Sequence, residues 1–109
     1  MSLRVHDLSL ETIAALRPLM PLIQRRDRAL AIQLARAASS SCLNIAEAEY
    51  SDPGNRRARL FTAAGSANES RSALRVALAW GYLNARQAEP SLALLDRVLA
   101  MLWKLSHAP

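Results

Sequence analysis

Apolar residues recur three and four positions apart along most of the chain, and polar turn signals interrupt that rhythm at three places. Leu30, Leu34, Ala37, Ser41, Ile45 and Ala48 form one stripe of a helix over 28–49. Leu60, Ala64, Ala67, Leu74 and Leu78, with Val76 and Ala77 beside them, line a longer helix over 53–80. Leu92, Leu95, Leu99, Leu102 and Ser106 make a stripe over 85–106, and Leu94, Val98, Met101 and Leu105 make a second on the same helix. Leu10, Ile13, Ala14, Leu16, Met20 and Ile23 give a broad face to a first helix over 9–24. The interruptions are Arg25-Arg26-Asp27-Arg28, Tyr50-Ser51-Asp52-Pro53-Gly54-Asn55 and Gly81-Tyr82-Leu83-Asn84. Three breaks in a helical chain predict four helices. Short connections favour antiparallel neighbours, so an all-α, up-down-up-down four-helix bundle is expected, with residues 1–109 as one domain.

Local signals refine the ends. Ser9 and Thr12 can offer hydroxyls to the start of the first helix, and Asp27, Asp52 and Asn84 are expected N-caps for the other three. Pro53 suits a first helical position. Pro18 and Pro21 predict a kink or an early stop, because each removes a backbone donor and clashes with the turn before it. Pro90 either kinks the last helix or marks its first turn. Gly65 costs about 1 kcal/mol in a helix interior, which a close helix crossing would offset. The doubled stripe of the last helix is wider than one neighbour needs and points to self-association.

Composition supports the helical reading and narrows the chemistry. Ala (21) and Leu (19) dominate the 109 residues, with only three Gly, which disfavours sheet folds. An apolar fraction of 51% excludes a disordered chain. One cysteine, Cys42, precludes an intramolecular disulfide and fits a reducing cytoplasm. The N-terminal MSLRVHDLSLET lacks the apolar run of a signal peptide, and no charge-free stretch is long enough for a membrane span. No phosphate loop, HExxH, CxxC or EF-hand loop is present, and His6 and His107 sit near opposite ends of the sequence. No catalytic residue, metal site or cofactor is expected, and Cys42 reads as a buried structural thiol.

Two polar groups stand out. Gln33, Arg36, Ser40, Asn44 and Glu47 on the second helix, and Ser66 and Glu69 on the third, fall on or near the inner stripes. If buried they must be hydrogen-bonded or paired. Arg36 with Glu69, and Glu47 with Arg57 or Arg59, are the expected pairs of a structural network that fixes register. A ligand or subunit contact is the alternative. The second group is basic: 13 of the 14 positive residues are Arg, and the formal charge is +5. Arg25, Arg26 and Arg28 cluster at one turn, Arg56, Arg57 and Arg59 open the third helix, and Arg71 and Arg75 are four apart on its outside. Planar guanidinium groups suit phosphates, so these arginines are the candidate nucleic-acid contacts. The few aromatics (Tyr50, Phe61, Trp80, Tyr82, Trp103) argue against a stacking platform.

Three blocks of residues resemble a known family. The second helix places Leu30, Gln33, Leu34, Arg36, Ala37, Ala38, Ser40, Asn44, Ile45, Ala46 and Glu47 in the spacing LxxQLxRAAxSxxxNIAEG. The third carries Leu60 and Phe61 before Ala63-Ala64-Gly65-Ser66 and Glu69, and ends in Trp80-Gly81-Tyr82-Leu83. Together, over residues 30–83, they resemble the four-helix-bundle proteins encoded in intervening sequences of bacterial 23S ribosomal RNA genes. The accessory variability determinant of diversity-generating retroelements is a relative of that family. The chain departs from the pattern at Ala48, where the family has glycine, and at Cys42, where proline is common. The resemblance implies an antiparallel bundle, a ring-shaped homopentamer and no known catalysis. It also implies a structural or subunit-contact role for Arg36, Asn44, Glu47 and Glu69. For the retroelement relative it implies a basic surface that binds nucleic acid and a reverse transcriptase. The expected function is therefore that of a non-enzymatic, oligomeric accessory protein binding nucleic acid, RNA before DNA. A scaffold for an acidic protein partner is the alternative.

Overall fold

The computed structural model describes residues 4–108. Residues 1–3 and 109, the outer ends of the expected 1–109 domain and of the N-terminal segment read for a signal, lie outside them. The chain runs through α1 (Arg4–Leu16), a 3-10 turn (Arg17–Leu19), α2 (Met20–Arg26), α3 (Arg28–Glu49), α4 (Pro53–Trp80) and α5 (Ala85–Ser106). The segments α1 and α2 form one broken rod, so the whole is a bundle of four. A helix of 28 residues is about 42 Å long, and the longest dimension of the molecule is 42 Å, with 22 and 19 Å across. α4 therefore spans the bundle from end to end. α1 packs between α3 and α5, and α4 closes the ring on the far side against the same two helices. No helix among the described residues is long and apolar enough to cross a membrane.

The last three helices begin and end where their local chemistry requires. Asp27 Oδ1 accepts the Leu30 N–H at 3.0 Å and opens α3. Asp52 accepts the Asn55 N–H at 2.9 Å and opens α4, with Pro53 at a position that needs no donor. Asn84 and Gln87 form a reciprocal capping box at the start of α5. α4 stops at Gly81, whose φ of 79° is left-handed. Gly81 N–H bonds the Leu78 carbonyl and Tyr82 N–H bonds the Ala77 carbonyl, the Schellman arrangement that glycine makes accessible. Pro90 lies in the second turn of α5 and leaves it continuous.

The first rod departs from expectation. It starts at Arg4 rather than Ser9, and the two prolines resolve it into separate segments. Pro18 stands at the start of the 3-10 turn and Pro21 at the start of α2, where the absent N–H costs nothing. Ser9 and Thr12 cap no terminus. Ser9 Oγ donates to the His6 carbonyl and Thr12 Oγ1 to the Leu8 carbonyl, at 2.7 Å each. Hydroxyls satisfied within their own helix can be buried, so the inward face of α1 is Val5, Leu8, Ser9, Thr12 and Leu16, while Leu10 turns outward.

The core contains Leu34, Ile45, Leu60, Leu74, Val98 and Leu102, all essentially inaccessible. Every member of the expected α3 stripe is buried. On α4, Val76 is exposed, contrary to expectation, because Ala73, Leu74 and Ala77 supply the buried face at that level. The second stripe of α5 is largely covered within the chain. Val98 is buried, and Leu94, Met101 and Leu105 pack half-buried against the core, because α1 lies along α5. Gly65 faces outward, and a Cβ there would meet nothing within 4 Å. No close crossing explains it.

Candidate nucleic-acid interface

The polar stripe of α3 is a shoulder of the helix rather than its inner face. Its members stand one residue before the buried stripe, a rotation of about 100° on a helix of 3.6 residues per turn. Gln33, Arg36, Glu47 and Glu69 are consequently exposed, and Arg36 makes no ion pair with Glu69 among the described residues. A smaller network survives at the α3–α4 seam. Ser40 Oγ lies 3.0 Å from Ser66 Oγ, and Asn44 Nδ2 donates to the Ser40 carbonyl at 2.9 Å. Ser41 Oγ crosses the same seam to the Ala63 carbonyl. Glu47 does meet Arg59, at 2.9 Å, with both side chains about half exposed. A surface pair of this kind contributes about 0–1 kcal/mol.

The arginine clusters separate to opposite ends of the bundle. At the first end, Arg25 and Arg26 finish α2 and Arg28 begins α3, all three exposed. The 81–84 turn brings Tyr82 against them. Arg26 Cζ sits 5.5 Å from the Tyr82 ring centroid, and the Tyr82 hydroxyl donates to Asp27 Oδ2 at 3.3 Å. Asp27 is thereby engaged on both carboxylate oxygens, by a backbone N–H and by a phenol. Partial burial and the Asp27 charge hold the Tyr82 phenol above its ordinary pKa, with Arg26 opposing. Arg86, in the first turn of α5, adds a further exposed guanidinium to this end.

At the second end, Arg56, Arg57 and Arg59 open α4 beside Glu47, Glu49 and Asp52. Arg59 is paired with Glu47, and Arg57 donates to the Ala108 carbonyl at 3.0 Å. Arg71 is paired with Asp96 of α5 at 2.8 Å, while Arg75 stays exposed. Few as they are in the whole chain, exposed aromatic residues do gather at this end. Phe61, Trp103 and His107 converge on the surface: His107 stacks on Trp103 with centroids 4.2 Å apart, and Phe61 meets the imidazole edge-on at 5.6 Å. A whole-chain count of aromatics hides this. The visible signal is the four-residue spacing of Trp103 with His107 and of Arg57 with Phe61, which puts each pair on one helix face.

The remaining histidine, His6, has Nε2 at 3.5 Å from the buried Cys42 Sγ and joins α1 to α3. Among the described residues no group of three or more His, Cys, Asp and Glu could hold a metal ion. The outer side of α3 carries an exposed stripe, Ile32, Ala35, Ser39 and Leu43, flanked by two grooves. One of about 470 Å³ is lined by Leu10, Ile13, Met20 and Ala35 among others. The second, of about 520 Å³, is lined by Arg36, Ser40, Asn44, Glu47 and Arg59 among others.

The pattern that defines the 23S rRNA-intervening sequence proteins matches residues 2–104, nearly the whole chain. The chain belongs to the 23S rRNA-intervening sequence protein family. A similar solved structure is the crystal structure of a protein with unknown function from the S23 ribosomal protein family of Bacteroides thetaiotaomicron VPI-5482. It superposes with a TM-score of 0.87 at 22% identity, covering 95% of this chain and 99% of that one. At that identity the likeness shows the shared four-helix fold. No curated protein is significantly similar to the chain. Membership of the 23S rRNA-intervening sequence family thus accounts for the three sequence blocks, two of which meet at the Ser40–Ser66 seam.

Proposed function

We propose that this family member is a non-enzymatic, self-associating accessory protein that binds nucleic acid through its arginines, RNA in preference to DNA. The observation that carries the reading is the first end of the bundle. There Arg25, Arg26, Arg28 and Arg86 face solvent, and the carboxylate of Asp27 is already engaged. Exposed guanidinium groups of this kind contact backbone phosphates without reading bases. The preference for RNA rests on the family's ribosomal RNA setting.

Self-association moves, on this reading, from α5 to the outer stripe of α3, where Leu43 is 64% exposed and small residues permit close approach. Five subunits are the number that the family resemblance implies. A ring would repeat each arginine cluster around its axis and strengthen the positive field. Native mass spectrometry of wild type and Leu43→Glu tests this: loss of the oligomer in the variant supports the α3 face, and an unchanged oligomer moves the contact elsewhere.

The binding test is fluorescence anisotropy of a labelled structured RNA and a labelled duplex DNA at about 50 and 200 mM salt. A binder contacting several phosphates loses orders of magnitude in affinity over that range. Tight binding at the lower salt that collapses at the higher one is the expected result. Absence of binding at the lower salt overturns the proposal and turns the search to an acidic protein partner.

A further inference from the structure

We propose that the second end of the bundle takes an unpaired nucleotide of a nucleic-acid strand, with the base on the Phe61–His107–Trp103 rings and the phosphate in the adjoining arginine cleft. This rests on the nucleic-acid reading above and adds to it a choice between unpaired and paired strands.

The rings are held in place from beneath. The His107 Nδ1–H donates to the Trp103 carbonyl at 2.8 Å, and Ser106 Oγ reaches the same carbonyl at 3.2 Å. That hydrogen bond fixes the imidazole over one face of the indole at an interplanar angle of 18°. Trp103 nevertheless remains 62% exposed and Phe61 49%. An indole covered on one face and still this accessible leaves its other face open. Large rings kept at the surface in a fixed orientation suit stacking, which needs a preorganised π-face.

Beside the rings lies a cleft of about 340 Å³ lined by Pro53, Arg56, Arg57, Leu60, Leu105 and Ala108. Arg57 links the two, because it lines the cleft and donates to the carbonyl of Ala108, the residue after His107. Arg57 is one turn before Phe61 on the same face of α4. The cleft also opens at the N-terminus of a 28-residue helix whose first turn contains no acidic residue. Of the three carboxylates at this end, Asp52 is folded into the helix cap by two bonds from Asn55 and Glu47 is paired with Arg59. A phosphate there meets the guanidinium groups of Arg56 and Arg57. A duplex offers the same phosphates and buries its base faces, so only an unpaired strand satisfies both halves of the site.

The test uses the full chain in a Trp80→Phe background, leaving Trp103 as the sole indole. Indole emission and anisotropy are followed on adding a 12-nucleotide single strand, its perfect duplex, or adenosine monophosphate. The expected results are quenching of Trp103 by the single strand and not by the duplex. Replacing both Phe61 and Trp103 by Ala should weaken single-strand binding about tenfold or more and duplex binding less than twofold. Trp103→Phe should retain most of the affinity. Circular dichroism establishes that the double variant is folded, as expected for two exposed side chains. Equal losses for strand and duplex, or single-strand binding with no change in Trp103 emission, overturn this proposal and leave the phosphate-binding function standing. Equal affinity for the mononucleotide and the strand overturns the choice of a strand as ligand. Failure of every nucleic acid to bind at about 50 mM salt overturns the function itself.

Discussion

The two ends of the bundle carry three clustered arginines each and use them differently. Around the 25–28 junction the guanidinium groups are exposed, and the single nearby carboxylate of that segment, Asp27, is taken up by a helix cap and a phenol. Around the 50–52 turn two of the three arginines are already engaged, Arg59 by Glu47 and Arg57 by a main-chain carbonyl, and exposed rings stand beside them. Equal counts of arginine therefore do not mean equal fields. What matters is how many positive groups local carboxylates leave unbalanced, and how many guanidinium N–H groups are already committed to other acceptors.

The largest test of that contrast is a pair of triple variants. Arg25, Arg26 and Arg28 replaced by Gln should lower the slope of log affinity against log salt by about three units for duplex binding, about one for each phosphate that no longer meets a guanidinium. Arg56, Arg57 and Arg59 replaced by Gln should lower it by about one. Both are read in anisotropy titrations. Equal effects would mean that Arg59 leaves Glu47 on binding, and the reverse order would make the second end the main phosphate surface.

The turns at the two ends differ in a second, smaller way. Gly81 sits at a φ of 79° that other residues adopt with difficulty, although there is open space around it. Gly81→Ala should cost about 1–2 kcal/mol, all of it backbone strain. Gly54, in the first turn of α4, has no such φ, and an added Cβ would make only an ordinary 3.6 Å contact with Asp52. Gly54→Ala should be neutral or stabilise by up to about 1 kcal/mol through the unfolded chain. Urea unfolding of both variants checks the signs. A destabilised Gly54→Ala would show that the start of α4 is tighter than its open surroundings indicate.

The same distinction between local and non-local causes decides how much is legible in the sequence. The bounds of α3, α4 and α5 follow from caps that lie within three residues of the helix they start, so Asp27, Asp52, Pro53 and Asn84 announce them. The start of α1 is misleading because Ser9 and Thr12 look like caps. Their hydroxyls in fact bond back into their own helix, a choice decided by packing against α5. The α3 polar stripe reads as internal because it differs from the buried stripe by a single position. Only the placement of α4 shows that Ser40 and Asn44 sit in the seam while Arg36 and Glu47 sit outside it. The Arg59–Glu47 pair is legible because a three-residue turn brings those two helix ends together. The Phe61–His107 contact is not, because it joins residues 46 positions apart.

The smallest effect separates the ends by pH, and in opposite directions. Asp52 is held below the ordinary carboxylate pKa, chiefly by the Asn55 backbone N–H and then by its side-chain amide. A lowered folded-state pKa means that the folded protein binds the proton less readily than the unfolded chain. The stabilisation is present above the ordinary carboxylate range and is lost as pH falls through the lowered value. Tyr82 is raised by partial burial and by Asp27, so its contribution is present below the ordinary phenol range. It disappears as pH rises through the raised value, when the phenol can no longer donate to Asp27. Thermal unfolding across pH should therefore show Asp52→Asn flattening the acid limb, since asparagine keeps the cap without titrating. Tyr82→Phe should flatten the alkaline limb and leave the acid one unchanged. Because both groups are at the surface, added salt should shrink each difference. A Tyr82→Phe variant that instead shifted the acid limb would place the main partner of Asp27 in the phenol rather than in the helix cap, and the basic end would then depend on that latch for its shape.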